Sequence, residues 1–262
     1  MQAWRWFLGM GTAASLMGLS SVPSAQAEPP PAKAAPAKPP QAKAPQAAKP
    51  KCKQGMVGIP AGTFTMGDDV DTSKAGQVTV EAFCMDRTEV TTAAYATCVK
   101  TGKCTGFDYP WCNSGVAGRG NHPINCVYWN QATAYCEAQG QRLPTEEEWE
   151  YAARGTDGRV YPWGNAEPAG QLCWDRYGEG KPNSTCAVGS FPKGNSPFGL
   201  SDMSGNVWEW TSSAYSETEG VFRGGGWDVY DLSLVRSASR SLFIPSDLGS
   251  VLGFRCAGSF FP

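Results

Sequence analysis

The residues of this chain best suited to chemistry are its ten cysteines and its single histidine. The cysteines lie at positions 52, 84, 98, 104, 112, 126, 136, 173, 186 and 256. No two of them are spaced as Cys-x-x-Cys, and His122 has no second histidine beside it, so the usual Cys/His zinc patterns are absent. An even number of cysteines in an exported chain indicates disulfides, so we expect five bridges and no free thiol.

His122 is also the only histidine that could serve as the base of a Ser-His-Asp or Cys-His arrangement. It stands in the sequence Gly-Asn-His-Pro-Ile-Asn, directly before Pro123, where the backbone is restricted and a structural hydrogen bond is the simpler role. We therefore assign no catalytic residue from this part of the sequence.

Residues 1–27 have the pattern of a secretory signal peptide. Arg5 supplies the positive charge, residues 6–19 form the apolar centre, and the small residues Ala25 and Ala27 place cleavage after Ala27. An uncleaved membrane anchor is the alternative, but glycine, serine and threonine interrupt a stretch that is short for a span. We expect a periplasmic or secreted protein with no membrane span once the signal is removed.

Residues 28–51 consist almost entirely of proline, alanine and lysine. This composition cannot bury a core and favours an extended, semi-rigid linker in front of residues 52–262. The five lysines of the linker and Arg5 outweigh Glu28, which leaves residues 52–262 with a net charge of −7. An acidic folded part without a basic stripe is unsuited to nucleic acid, so nucleic-acid partners are not expected.

Secondary-structure signals are short and scattered. Alternating β-branched and aromatic residues indicate strands in two segments, and apolar periodicity closed by glycine indicates helices in two others: 56–67, 78–90, 91–102 and 130–140. The clearest signal is a helix that begins after Thr145, with Glu148 completing a capping box and Gly155 just past the end.

The composition explains why these signals are so sparse. The chain contains 31 glycines, 20 prolines and 10 tryptophans, and no internal repeat. We expect residues 52–262 to form one α/β domain dominated by loops and held by aromatic packing and disulfides.

Seven sequence blocks resemble, in order, those of the formylglycine-generating enzyme (sulfatase-modifying factor) superfamily. They cover nearly all of residues 55–258 and read GMVGIPAGTFTMG, TEVTTAAYATCV, HPINCVYWNQATAYCEAQGQRLPTEEEWEYAARG, YPWGN, SPFGLSDMSGNVWEWT, FRGGGW and LGFRCAG. The resemblance implies the superfamily's variant of the C-type-lectin-like α/β fold, which is rich in irregular structure.

The resemblance makes residues 222–240, FRGGGWDVYDLSLVRSASR, informative because they contain no cysteine. Enzymes of the superfamily oxidise a sulfatase cysteine to formylglycine with copper and oxygen, and two cysteines of this segment bind Cu(I), a soft ion that prefers sulfur. The corresponding positions are Val229 and Leu234, and the superfamily's serine corresponds to Gly226. Residues 187–255 contain no cysteine, so a shifted alignment does not restore the pair. We expect no copper and no formylglycine-generating activity.

The resemblance also pairs Cys136 with Cys256. A bridge that closes so long a loop stabilises by about 5 kcal/mol on the chain-entropy model. Cys98 and Cys104 flank a helix end, and we expect them to form a local bridge. The sequence leaves open how the remaining cysteines pair with one another: Cys52, Cys84, Cys112, Cys126, Cys173 and Cys186.

Superfamily members also bind calcium, and the resemblance places the ligands of one site around DMSGNVWEW. The matching positions are Asp202, Gly205, Val207 and Glu209, two carboxylates and two backbone carbonyls, which are the hard oxygen donors that Ca²⁺ prefers. The alternative is a tight turn in which Glu209 pairs with an arginine.

Four further residues correspond to the groove in which enzymes of the superfamily bind a peptide: Arg223, Trp227, Trp208 and Trp210. The alternative for the tryptophans is a place in the aromatic core, and for the arginine a structural ion pair.

These observations predict an exported, non-catalytic member of the superfamily that binds a peptide or glycan of the cell envelope. The alternatives are an accessory or catalytic part in another chemistry of the superfamily, as in ergothioneine or pigment pathways, and an active formylglycine-generating oxidase.

Overall fold

The computed structural model describes residues 51–68, 75–174, 184–214, 216, 219–243 and 249–261. The expected signal peptide, residues 1–27, and nearly all of the linker, residues 28–51, lie outside these residues. Within the described part, no helix is long and apolar enough to cross a membrane.

Short strands dominate the regular structure. They are β1 (Met56–Ile59), β2 (Gly62–Met66), β3 (Gly76–Val80), β4 (Phe83–Asp86), β5 (Trp208–Ala214), β6 (Gly220–Arg223), β7 (Arg240–Phe243), β8 (Leu252–Gly253) and β9 (Ala257–Gly258). In the described residues they form an antiparallel sheet ordered β1-β4-β9, a β2-β3 hairpin, and a four-stranded sheet ordered β7-β6-β5-β8. The β5-β8 pair is parallel and the other pairs are antiparallel.

The helices follow the local signals of the sequence. Helix α1 spans Thr92–Lys100, α2 spans Trp129–Ala138 and α3 spans Glu146–Arg154. At the start of α3 both halves of the expected capping box form, because Thr145 Oγ1 accepts from the Glu148 amide and the Glu148 carboxylate accepts from the Thr145 amide. Among the described residues, single turns of 3₁₀-helix at Pro192–Gly194 and Leu232–Val235 lie in the long irregular segments.

Two clusters of buried side chains fill the interior. One lies around α1 and α2 and includes Phe254, on which Tyr95 and Tyr135 pack edge-on. The other lies around α3, where Trp149 is fully buried and the helix packs on β2, β3, β5 and β6. This mixed α/β architecture with extensive irregular structure agrees with the fold expected from the sequence.

All ten cysteines are paired in the structure. Both expected pairs, Cys136–Cys256 and Cys98–Cys104, are present. The pairs that the sequence left open are Cys52–Cys84, Cys112–Cys126 and Cys173–Cys186. Five disulfides are typical of a protein that folds in an oxidising compartment outside the cytoplasm.

These pairings predict that the exported protein exposes no thiol even when it is denatured. Alkylation in denaturant without reductant is expected to add no label, and alkylation after reduction is expected to label all ten cysteines. Intact-mass spectrometry distinguishes the two states. Label on two or more cysteines before reduction would contradict the pairing.

Candidate functional site

The turn that follows β6 brings two sequence blocks together. The Gly205 amide donates to the Gly224 carbonyl at 2.8 Å, and the Trp227 amide donates to the Asn206 carbonyl at 2.8 Å. Gly225 has φ of +79°, and a Cβ there would lie 2.8 Å from the Leu234 carbonyl oxygen, so the close backbone approach requires glycine. This crossing holds Trp227 at the edge of a cavity.

The two positions at which enzymes of the superfamily carry cysteines lie just beyond this turn. Val229 is buried, and Leu234 is partly exposed within the turn Leu232–Val235. Both side chains are aliphatic, so they offer neither a thiolate nor a proton-transfer group.

Arg223 does not line a groove, contrary to the expectation from the sequence. The side chain is fully buried and donates to Glu150 at 3.1 Å and to Glu146 at 3.0 Å, both on α3. Arg240 also pairs with Glu146, and Arg154 with Glu150. The arginine therefore joins β6 to α3, because its buried charge is stable only beside these carboxylates.

The prediction that Trp208 and Trp210 line a groove is also wrong. Trp210 has no exposed surface, and its indole Nε1 donates to the Val127 carbonyl at 2.9 Å. Both indoles pack edge-on against Phe222. They stand at neighbouring positions of β5 on the same buried side, which is the core role that was the alternative.

Trp227 is the expected groove residue that does line a cavity. The cavity has a volume of about 370 Å³, within the range of small-ligand pockets. Its apolar wall consists of Pro110, Trp111, Cys112, Val116 and Trp227. Its polar wall consists of Asn113, Arg119, Asn125, Ser184, Thr185 and Ser250.

The polar wall is organised by a single buried amide, Asn113. Its Nδ2 donates to the Pro123 carbonyl at 2.8 Å and to Thr185 Oγ1 at 2.9 Å, and its backbone amide donates to Asn125 Oδ1 at 2.7 Å. Its Oδ1 accepts from Arg119 Nη1 at 2.5 Å. Because both polar ends of this side chain are satisfied, the wall is fixed before a ligand arrives.

His122 has the structural role that its position before proline suggested. Its Nδ1 lies 2.9 Å from Thr185 Oγ1, and its carbonyl accepts from the amide of Thr92 at the start of α1. Burial and the positive charge of Arg119 lower the pKa of His122, against the hydrogen bond with Thr185. The imidazole is therefore neutral at pH 7 and supports the wall of the cavity.

An aromatic stack beside the cavity was missed in the sequence. The ring of Trp111 lies 5.7 Å from that of Tyr109 at 22°, and Tyr109 lies 6.0 Å from Phe107 at 28°. Trp111 is 61% exposed, which is unusual for so large an apolar side chain in a folded domain. The spacing of three aromatic residues at every second position was the signal that could have identified the stack.

The expected calcium ligands lie in the turn before β5 and on β5 itself, where the Glu209 carboxylate already accepts other hydrogen bonds. Its Oε1 accepts from Arg255 Nη2 at 2.6 Å, and its Oε2 accepts from Arg255 Nε at 2.7 Å and from Trp149 Nε1 at 2.8 Å. This is the pairing with an arginine that was the alternative. The set of Asp202, Gly205, Val207 and Glu209 therefore does not fit an ion that needs the Glu209 carboxylate. Among the described residues, no three acidic, histidine or cysteine side chains meet in a metal-binding group.

Glu89 lies close to Asp202, Glu209 and Arg255, and these residues form a buried acidic cluster. Glu89 was not identified from the sequence. It is 1% exposed, and no amide, hydroxyl or guanidinium of the described residues donates to its carboxylate, which lies against the carboxyl of Asp202. Burial raises the pKa of Glu89 well above its usual value, and the charge of Asp202 raises it further. Burial also raises the pKa of Asp202, although the Gly189 amide donates to its carboxylate at 2.6 Å. Arg255 alone cannot neutralise three buried carboxyls, so a proton or a bound cation must compensate for the rest.

This α/β scaffold, with a Gly-Asn-Val-Trp-Glu-Trp turn and strand hydrogen-bonded to an Arg-Gly-Gly-Gly-Trp turn, is the formylglycine-generating-enzyme type of C-type-lectin-like domain. The chain belongs to the sulfatase-modifying factor enzyme 1-like domain family, whose model matches residues 41–260.

Known relatives agree with this assignment. The chain is 33% identical to the formylglycine-generating enzyme of Mus musculus, over 79% of this chain and 76% of that protein. It is 42% identical to a Mus musculus protein named inactive C-alpha-formylglycine-generating enzyme 2, over 56% of this chain and 52% of that protein. The structure of PvdO from Pseudomonas aeruginosa superposes with a TM-score of 0.65 at 28% identity, over 78% of this chain and 94% of PvdO.

Proposed function

We propose that this chain is a non-catalytic, ligand-binding member of the family that acts in the periplasm or after secretion. The observation that carries the proposal is that the chain has no thiol available to bind copper. The positions that match the copper-binding cysteines are Val229 and Leu234, and every cysteine of the chain is held in a disulfide. Disulfide sulfur is a poor ligand for Cu(I), which binds thiolates.

The cavity beside Trp227 supplies the binding part of the proposal. It adjoins the segment that carries chemistry in enzymes of the family, yet its wall contains hydroxyls, amides and aromatic rings in place of thiols. A peptide or glycan of the cell envelope suits such a wall. Nucleic acid is not proposed as a partner, because residues 52–262 carry a net charge of −7. The resemblance of one relative to this chain supports the same view, since that relative is named inactive.

We also propose calcium as a ligand of the buried acidic cluster, with a different ligand set from the one first expected. Asp202 and Glu89 are the carboxylates of the cluster that Arg255 does not hold in a two-point pair. Hard oxygen donors with excess negative charge are what Ca²⁺ prefers. Bound calcium would replace the proton that the two carboxyls otherwise need.

The proposal that the chain is non-catalytic predicts that it does not convert a Cys-x-Pro-x-Arg peptide to the formylglycine product. The purified mature protein is incubated with copper, reductant, oxygen and the peptide, and the peptide is analysed by mass spectrometry beside an active family member. No product above the protein-free blank is expected. Formylglycine above that blank would overturn the proposal.

A matched variant tests the reason for the missing activity. V229C/L234C restores sulfur at the two positions and is expected to bind Cu(I), whereas the wild-type protein is expected to bind no more than its methionines do. Competition with a Cu(I) chelator measures both. Equal copper binding by the two proteins would contradict the assignment of these positions.

A further inference from the structure

We propose that the cavity between Trp111 and Trp227 binds a saccharide that carries a carboxylate. The inference rests on the proposed function, because it names the ligand class of a non-catalytic binding module. It depends on three features of the cavity: an exposed aromatic plane, a fixed polar wall and one uncompensated positive charge.

The aromatic plane is Trp111. The Trp111 ring stacks on Tyr109, which in turn stacks on Phe107, and this packing fixes the orientation of the indole. Most of the Trp111 surface nevertheless remains exposed to solvent. The adjoining disulfide Cys112–Cys126 ties the same segment to the chain beneath it. A pyranose ring presents a flat face of C–H groups, and a rigid indole is well suited to pack against such a face at low entropic cost.

The fixed wall suits the other half of a sugar. Asn113 makes one hydrogen bond each with Arg119, Thr185 and Asn125 and a fourth to the Pro123 carbonyl. Ser184 and Ser250 line the same wall. Hydroxyl and amide groups both donate and accept, as the hydroxyls of a sugar do. A peptide backbone would instead seek an open strand edge, and no described strand borders this cavity.

The charge of the wall selects for an acidic sugar. Among the described residues, Arg119 is the only charged side chain that lines the cavity, and Asp108, the carboxylate nearest to it along the chain, does not line it. Within the described residues, the guanidinium makes one hydrogen bond, to Asn113 Oδ1, which leaves most of its donors for a ligand. A planar guanidinium with free donors matches a carboxylate in two-point geometry.

The experiment measures binding of a uronic-acid oligosaccharide to the full mature chain by calorimetry. The matched probe is the same oligosaccharide after carboxyl reduction, which differs only in the charged group, and an acidic peptide of equal charge is the third probe. We expect the uronic-acid probe to bind about tenfold more tightly than either of the others.

Two variants test whether Trp111 and Arg119 contact the saccharide. Trp111→Ala is expected to weaken binding of the uronic-acid probe about tenfold or more, as anchor tryptophans do. Arg119→Met is expected to weaken binding of the acidic probe by a similar factor and to leave the reduced probe within about twofold. Tyr230→Ala, which removes another exposed aromatic ring that does not line the cavity, is expected to change neither value. Melting curves confirm that each variant is folded.

Three results would overturn the proposal: no binding of the uronic-acid probe at millimolar concentration, unchanged binding in Trp111→Ala, or tighter binding of the acidic peptide. None of these results bears on catalysis. Formylglycine formation would overturn the proposed function whatever the saccharide result, so the two failures are distinguishable.

Discussion

Arg255→Met is expected to lower the free energy of unfolding by about 3–5 kcal/mol, because it leaves the carboxylate of Glu209 buried without its counter-charge. Both members of this pair are almost completely buried, and Arg255 also donates to the carbonyls of Asp86, Arg87 and Ser201. Burial lowers the pKa of Arg255, but Glu209 outweighs that effect and the guanidinium remains charged. Urea titration of the purified mature protein measures the loss.

Arg142→Met is the matched control for that variant. Arg142 also makes a two-point pair with a glutamate, Glu148, at 2.6 Å for each bond, but its side chain is 48% exposed. Solvent screens this pair, so its removal is expected to cost no more than about 1 kcal/mol. Equal losses of stability in the two methionine variants would show that burial does not decide the effect.

A second substitution separates the loss of the Arg255–Glu209 attraction from the cost of leaving the Glu209 carboxylate buried and unpaired. Glu209→Gln in the Arg255→Met background removes the unpaired carboxylate and is expected to restore part of the loss, since much of the cost of breaking a buried pair is the charge left behind. For the same reason, a Glu209→Ala variant is not a suitable test of calcium binding. It strands Arg255 and Trp149 Nε1 whether or not a cation binds nearby.

Local signals made the helices of this domain predictable. The start of α3 is specified within four residues by Thr145 and Glu148, and its end by Gly155, whose φ is +68°. Likewise α1 ends just before Gly102, which has φ of +73°. Such boundaries depend on neighbours three or four positions away, which a single sequence shows directly.

The roles of Arg223 and Glu89 depended on contacts that the sequence does not show. The carboxylates that neutralise Arg223 lie 73 and 77 residues away along the chain. Glu89 meets Asp202 and Arg255 only after β4 has paired with β9 and β5 with β8. The disulfide Cys112–Cys126 was unassigned for the same reason, because nothing in the spacing distinguishes it from the other open pairings.

The aromatic residues of the stack alternate in the sequence, but that spacing alone did not indicate a binding surface. Phe107, Tyr109 and Trp111 alternate as residues of a strand would, and the structure places them in an irregular segment outside the strands. Only the exposure of Trp111 in the folded protein and its place at the cavity distinguish a binding surface from core packing. The motif blocks thus predicted the scaffold, while Trp111 and Arg119, on which the saccharide proposal depends, lie between two of those blocks.

Glu89→Gln is expected to stabilise the protein at pH 8 by about 1–3 kcal/mol when calcium is removed with a chelator. The carboxylate of Glu89 is buried beside Asp202 without a donor, so its charged form is unfavourable, whereas a glutamine amide can donate to Asp202. The folded-state pKa of Glu89 is raised, so protonation stabilises the fold at acidic pH and this contribution is lost as the pH rises through that pKa. The advantage of the variant should therefore vanish near pH 4. Burial raises the pKa of Asp86 to about 6, and this group titrates in both proteins. Its contribution therefore cancels when the free energies of unfolding of the two proteins are subtracted.

Calcium is expected to reduce or remove the advantage of Glu89→Gln over the wild-type protein. If Asp202 and Glu89 hold the ion, saturating calcium raises the melting temperature of the wild-type protein and leaves that of Glu89→Gln nearly unchanged, since the variant lacks one of the two charged donors. At about 100 times the dissociation constant the wild-type gain is about 2.7 kcal/mol, which calorimetry resolves easily. Glu81→Gln, an exposed carboxylate outside the cluster, is the control and should respond to calcium as the wild type does. A wild-type melting curve that calcium does not move, together with a stabilised Glu89→Gln variant, would assign the excess charge to a shared proton and overturn the calcium proposal. Equal responses of wild type and Glu89→Gln would place any calcium elsewhere.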